Sequence, residues 1–374
     1  MTRVAILGAG NGGCAAAADL SIRGFDVSLY SRSQERLAAI NEAGGLYYTG
    51  VIGDGFAPLT LVTNNLARSL EHADLVMIVT PAIAHRYLAL QLAELLAEAT
   101  PIWLNPGATG GALHVSEILR RHGRSDIPVA ESATLTYACR MKGPNTVWIK
   151  NQVTNLLFAT FPTTKQTMVL ESYRKLYPAL KPAVNVLTTS LMNLNAILHP
   201  PGMIMNAGRI EYTKGDFKFY YEGITPVVAN VIEAIDLERL AIVQSLEVHL
   251  GYPLGVSRGI DFFYQANYTT KEAWHTGSIY QALQASIPNR PTQAAPSLND
   301  RYITEDVPYG LAPMLSLAEW IGVPAPVMRS LVGLAAVMTG ENYFETGLTL
   351  ADMGLDQIDA GHLRSYLEEG LQEL

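Results

Sequence analysis

Three glycines near the amino terminus are spaced for phosphate chemistry. Gly8, Gly10 and Gly13, within Val4-Ala-Ile-Leu-Gly-Ala-Gly-Asn-Gly-Gly13, keep the G-x-G-x-x-G pattern. The apolar run Val4 to Leu7 before them reads as a parallel strand buried on both faces, and the small apolar stretch Cys14 to Leu20 after them reads as a helix. In that strand, turn and helix context the spacing predicts a dinucleotide pyrophosphate site. Gly8 permits the tight turn, Gly10 leaves room for the phosphates, and Gly13 lets the helix pack close to the strand. The backbone N–H groups of the turn, those of Asn11 and Gly12 included, then face the phosphates at the positive end of the helix.

The next strand, Asp26 to Tyr30, should end at the adenosine ribose. An NAD site usually places a carboxylate there for the 2′-hydroxyl. This chain reads Tyr30-Ser31-Arg32-Ser33 instead. With hydroxyls and a guanidinium but no carboxylate, Ser31 and Arg32 favour NADP(H) over NAD(H), because a 2′-phosphate would find donors. The plainer alternative is that Arg32 points to solvent and begins the next helix. Thr80-Pro81 and Asn105-Pro106-Gly107 each follow a short apolar run, where a doubly wound sheet opens its ligand crevice; Thr80 and Pro81 are counted with the cofactor contacts.

A hydride carrier needs a proton handler, and histidine is the side chain best suited near neutrality. Of eight histidines, His72, His85, His114 and His122 read as surface residues of the nucleotide half. His249 and His362 fall near helix ends, and His275 sits in Trp274-His275-Thr276. His199 stands apart. It ends an uncharged helical stretch, Leu187 to Leu198, is followed by Pro200-Pro201, and is flanked by Asn193, Asn195 and Asn206. Such a histidine is more often a hydrogen-bonded core residue than a proton donor.

The elements that must position these groups follow from the pattern. Helical stretches at Ser33 to Ala43 and Ala84 to Glu98 alternate with strands at Leu59 to Val62, Leu75 to Val79 and Ile102 to Leu104. Val129 to Glu131 and Val147 to Lys150 are expected to continue the sheet, with Ser132 to Arg140 crossing its edge. After about residue 186 a 3.6-residue period takes over, with apolar helices around Val227 to Leu246, from Pro308 to Trp320 and from Pro324 to Met338. The fold class is therefore α/β: an N-terminal Rossmann doubly wound parallel sheet over residues 1–186, followed by an all-helical C-terminal domain over 187–374. The cleft between the halves is the natural substrate site.

Composition narrows the function. A formal charge of −8 argues against a nucleic-acid partner. Two cysteines, Cys14 and Cys139, make no disulfide framework and have no metal-ligand neighbours, which suits a reducing, cytoplasmic setting and no metal. The first apolar run is too short for a secretory signal. The uncharged segment Pro182 to Gly208 is long enough to raise the membrane question, but its asparagines, histidine and proline pair would be costly in lipid. The apolar carboxyl-terminal helices could pack internally or form a homodimer.

Several motifs resemble those of the opine dehydrogenase family, which includes the octopine and nopaline dehydrogenases. They are the amino-terminal glycine motif, Glu131-Ser-Ala-Thr-Leu-Thr-Tyr-Ala-Cys-Arg140, Asn193-Leu-Asn-Ala-Ile-Leu-His-Pro-Pro-Gly-Met-Ile-Met-Asn-Ala-Gly208 and Asp300-Arg-Tyr-Ile-Thr-Glu-Asp-Val-Pro-Tyr-Gly310. They occur in family order over nearly the whole chain. The resemblance implies condensation of an amino acid amine with a 2-oxo acid such as pyruvate, and reduction of the imine by NAD(P)H. It implies that His199 is the acid/base, that Asp306 pairs with it, and that Arg301 holds the oxo-acid carboxylate. Tyr137, Trp274 and His275 are guesses for the amine pocket. Read without the resemblance, Arg301, Glu305 and Asp306 are better taken as a surface ion-pair cluster with Asp306 capping a helix. Two other functions stay open: a simple 2-oxo-acid or ketopantoate-like reductase using Lys142 or Lys214 as proton donor, and a catalytically silent NADPH-binding protein.

Overall fold

Val4 to Leu7 are wholly buried, as a strand apolar on both faces must be. In the computed structural model, which describes residues 1–371, they belong to the strand β1 (Arg3–Leu7) at the heart of an eight-stranded sheet. The remaining strands in chain order are β2 (Asp26–Tyr30), β3 (Gly45–Gly50), β4 (Gly55–Pro58), β5 (Leu61–Thr63), β6 (Leu75–Ile78), β7 (Ile102–Leu104), β8 (Val129–Ser132), β9 (Tyr137–Gly143), β10 (Thr146–Gln152), β11 (Leu157–Phe161) and β12 (Lys181–Pro182). The large sheet runs β12-β11-β8-β7-β6-β1-β2-β5. From β8 to β5 every pairing is parallel, while β11 is antiparallel to β8.

One expectation is corrected here. Val147 to Lys150 does not extend the main sheet. It lies in β10, part of a separate four-stranded sheet ordered β4-β3-β10-β9. Along β10 the buried Val147 and Ile149 alternate with the half-buried Trp148 and exposed Lys150, the period-2 pattern of a sheet covered on one face. The place expected for it is taken by β11. The helix Asn11–Ile22 is buried at every position from Gly12 to Leu20 because it packs against strands of both sheets.

The chain folds as two compact units: residues 1–190 with 352–354 and the segment from Arg364 on, and residues 191–351 with 355–363. The carboxyl-terminal return to the first unit departs from the expected division into 1–186 and 187–374. Tyr366 anchors it, donating to the Met353 carbonyl at 2.7 Å and packing on Phe161 at 5.1 Å.

The second unit is helical. Its long helix Pro226–Leu250 starts with Thr225 as cap and Pro226 in the first turn, and ends at Gly251 in the left-handed conformation. Arg239 on this helix is wholly buried, yet satisfied by Asp236 and by the carbonyls of Leu191 and Ser257. Three helix boundaries differ from expectation, one being the helix expected from Pro308, which begins at Ala312 after a π-type turn, Val307–Leu311. Leu187 to Leu198 is two helices, Val186–Leu191 and Asn195–Ile204, and the second continues through Pro200 and Pro201. The last large helix starts at Pro326, not Pro324. Among the described residues no helix is long and apolar enough to cross a membrane.

Candidate active site

The glycine turn leads directly from β1 to the helix Asn11–Ile22. Gly8 adopts φ +124, and a Cβ there would strike the Val79 carbonyl; a Cβ on Gly13 would collide with the Gly8 carbonyl oxygen. Both glycines are thus demanded by the fold. Gly12 is crowded by Leu135, whose Cδ1 would lie 2.9 Å from an added Cβ. Gly10 is different. Its φ of −84 is open to any residue, and the nearest atom to an added Cβ is Arg36 Nη1 at 4.0 Å. Nothing in the protein requires glycine there, whereas a dinucleotide pyrophosphate over the turn would. Thr80 Oγ1, beside Gly8, is buried with no hydrogen-bond partner. An open cradle with an orphaned hydroxyl fits the cofactor.

The other expected cofactor contacts surround this turn. Asn11 turns its side-chain oxygen to the protein, accepting from the Met141 N–H at 2.8 Å. Ser31 accepts from the Ser33 N–H, and Ser33 in turn caps the next helix. Arg32 lies 5.1 Å over the Tyr87 ring. Pro81 leads into the short turn Ala82–Ala84. Arg36, whose guanidinium reaches toward Gly10 from the first turn of its helix, was not singled out from sequence; its place one helical turn after Arg32 was the available signal.

In the second unit the structure brings His199 and Asp306 together. His199 Nδ1 lies 2.7 Å from Asp306 Oδ2, and both side chains are nearly dry, 5% and 11% exposed. Asp306 therefore caps no helix; Asp300 does, accepting from the Tyr302 N–H. Four segments enclose the imidazole. The helix Asn195–Ile204 carries it, the short helix Arg301–Thr304 and the π-type turn Val307–Leu311 flank Asp306, and the π-type turn Phe219–Gly223 carries Tyr220. Such turns are rare and recur at functional sites. Glycines permit the close approach. A Cβ on Gly202 would lie 2.6 Å from the Phe219 ring, and one on Gly310 would lie 2.7 Å from Ala196 Cβ.

Two aromatic partners escaped the sequence reading. Tyr220 Oη lies 2.7 Å from His199 Nε2, and Tyr302 stacks on the imidazole with centroids 3.7 Å apart and planes at 11°. Burial holds both phenols above their usual titration range. The only hint was aromatic density, in Phe217-Lys-Phe-Tyr-Tyr221 and beside Arg301. Arg301 itself is exposed, and among the described residues its guanidinium has no ion pair. The alternative of an ion-pair cluster with Asp306 is not what the structure has.

Other candidates lie apart. Tyr137 is buried in the first unit, donating to Asp19 and bonded to Tyr177, so it lines no pocket. Trp274 is occupied by Tyr264, stacked at 4.5 Å, and by Asp261, with His275 against its edge. Lys142 and Lys214 are exposed. His72 and His122 are at the surface as expected, but His85 and His114 are not: they are 1% and 3% exposed. Burial drives His85 down to about 3, so it stays neutral. Nearby Glu131 is buried, accepting from Thr189, Ser190 and the Ala112 N–H, and burial raises its carboxyl to about 7.

Known proteins agree with this arrangement. The family model of the NAD/NADP octopine/nopaline dehydrogenase alpha-helical domain matches residues 182–339. That of ketopantoate reductase PanE/ApbA matches residues 4–154, the nucleotide-binding half only. An octopine dehydrogenase solved in complex with NADH and agmatine superposes with a TM-score of 0.81 at 18% identity, covering 100% of this chain and 99% of that one. A yersinopine dehydrogenase solved with NADP+ bound gives 0.74 at 16% identity, covering 99% and 98%. At such identities these two speak for the fold. An opine dehydrogenase of Arthrobacter sp. (strain 1C) is 33% identical over 97% of this chain and 98% of its own length. With that much of both proteins aligned, this chain belongs to the opine dehydrogenase family, NAD(P)-dependent oxidoreductases that act on CH–NH donors.

Proposed function

We propose that the protein joins the amino group of an amino acid to a 2-oxo acid such as pyruvate and reduces the resulting imine, giving an N-(carboxyalkyl) amino acid. The observation that carries this reading is the buried His199–Asp306 bond, with the unpaired guanidinium of Arg301 on the neighbouring turn. The nicotinamide cofactor, when bound, supplies the hydride.

The side chains supply the rest. Arg301 would hold the oxo-acid carboxylate with two parallel hydrogen bonds, fixing which face is reduced. Asp306 accepts from Nδ1–H, which sets the ring tautomer and orientation. His199 then donates a proton as the carbinolamine loses water, and takes one back in the opposite direction. Gly8, Gly10, Asn11, Gly12 and Gly13 would cradle the pyrophosphate, with Thr80 and Pro81 toward the nicotinamide end. We assign a preference for NADP(H) over NAD(H) to Ser31, Arg32 and Arg36, which offer donors to a 2′-phosphate where an NAD site would carry a carboxylate.

A screen of NADPH and NADH oxidation, with several 2-oxo acids crossed against free amino acids, tests the reading. Oxidation should require both substrates together and proceed faster with NADPH. Equal rates with and without amine across the panel would identify a plain 2-oxo-acid reductase instead.

A further inference from the structure

Neither ring nitrogen of His199 is open. Asp306 occupies Nδ1, Tyr220 occupies Nε2 at 2.7 Å, and Tyr302 covers one face of the ring. Since Asp306 must accept from Nδ1–H, any proton exchanged with substrate leaves or enters at Nε2, where the phenol already stands. Little of the cluster reaches solvent: His199 is 4% exposed, Asp306 8% and Tyr220 9%, while Tyr302 is half-buried.

The turn that carries the phenol is tied down on several sides. Phe219 packs edge-on against it at 5.0 Å, and the Phe219 N–H donates to the Thr292 carbonyl. Asn206 ties the turn to its helix, donating to the Gly202 and Gly223 carbonyls at 2.8 and 2.9 Å. Gln284 donates to the Tyr221 carbonyl at 2.9 Å. These bonds, each contributing about 1 kcal/mol, hold the backbone of the turn that presents Tyr220 to Nε2.

We propose that Tyr220 relays the proton between His199 and the substrate. This rests on the acid/base reading of His199 and adds to it the group that touches the reacting atoms. In the protonated state Nε2–H donates to Tyr220 Oη, so the phenolic hydrogen must point elsewhere. As the Nε2 proton crosses to Oη, the phenolic hydrogen passes to the carbinolamine oxygen. The C–O bond then breaks with its electron pair on oxygen, water leaves, and the iminium remains. The imidazole ends one proton poorer and the phenol as it began. Reversal of these transfers serves the hydrolytic direction. Burial keeps the Tyr220 phenol protonated throughout, so it passes a proton on rather than storing charge. Tyr302 stacks on the imidazole, which makes it a positioning residue.

Single-turnover oxidation of bound NADPH, with pyruvate and the preferred amino acid of the crossed screen, tests the relay. Tyr220→Phe should lose about 100-fold or more in rate, the usual worth of a positioned proton donor, with both KM values within about threefold of wild type. The rate plotted against deuterium fraction of the solvent should be bowed in wild type, for two protons moving together, and linear in the variant. A Tyr220→Phe rate within about threefold of wild type, beside an inactive His199→Gln, would overturn the relay and leave the dyad reading standing. An active His199→Gln would remove that reading and the relay with it. Should Tyr220→Phe fail to fold, the wild-type isotope plot decides: bowed supports the relay, linear overturns it.

Discussion

Replacing Asp306 by Asn tests the part of the site that the geometry describes most closely. The substitution keeps size and shape but removes the negative charge to which Nδ1–H is bonded. The two groups are 2.7 Å apart and almost free of solvent, so bulk water cannot replace what is lost. A hydrogen bond to a charged group contributes about 1.5–3 kcal/mol. At about 1.4 kcal/mol per tenfold in rate, kcat should fall about 10- to 150-fold. The loss should appear in kcat and not in KM, because Asp306 is placed to act on the imidazole and not on a substrate carboxylate. The amide oxygen can still accept from Nδ1–H, so the variant should fold. Initial rates of cofactor oxidation over ranges of both substrates measure this. A variant with kcat within about twofold of wild type, or with raised KM and intact kcat, would refute the argument that Asp306 governs the proton on His199.

Arg301→Gln should raise KM for the 2-oxo acid about 10- to 100-fold while leaving Tm unchanged, because the guanidinium is exposed and supports no ion pair in the fold; steady-state kinetics with calorimetry check both, and Lys should rescue only in part since it lacks the planar fork. Gly10→Ala should weaken cofactor binding at least about tenfold without loss of Tm, whereas Gly13→Ala, which collides with backbone, should unfold the first unit; a cofactor titration beside a melting curve separates them. Removing both Arg32 and Arg36 should raise the Kd of NADPH about tenfold or more and leave that of NADH within about twofold. Glu131 sets a pH dependence. Its folded carboxyl is raised to about 7 from 4.5, so the fold favours its protonated form, and the stability it contributes is present below about pH 4.5 and lost as pH rises to about 7. The Tm of Glu131→Gln relative to wild type should therefore rise across that window; a flat difference would contradict it.

The nucleotide-binding elements were legible because each states its physics locally. A continuous apolar run before glycines at fixed spacing has few meanings, and β1, β2, β6 and β7 fell within a residue or two of their expected bounds. The second sheet was not legible, since nothing local tells Val147 to Lys150 which sheet it joins. The burial of His85 and His114 was hidden for a similar reason: the surrounding helices read as amphipathic, and which face carries the histidine depends on what packs there. Pro200-Pro201 read as a helix end, yet the helix Asn195–Ile204 carries both and spends the unmade backbone bonds inside a packed unit. His199 and Asp306 are separated by 107 residues, so pattern alone could not pair them; the motif resemblance did. Tyr220 sits on a π-type turn with no periodicity to betray its direction, and Tyr302 looked like part of a charged connector. Both became visible only as atoms around an imidazole.

The account stands or falls on what is reduced. Incubating the protein with pyruvate, a heavy-nitrogen amino acid and nicotinamide cofactor deuterated at the transferable position, then weighing the product by mass spectrometry, asks that directly. The proposed chemistry yields one compound in which the heavy nitrogen bridges the two carbon skeletons and the former oxo carbon carries one deuterium. Deuterated lactate free of heavy nitrogen would contradict it, showing that the carbonyl itself takes the hydride.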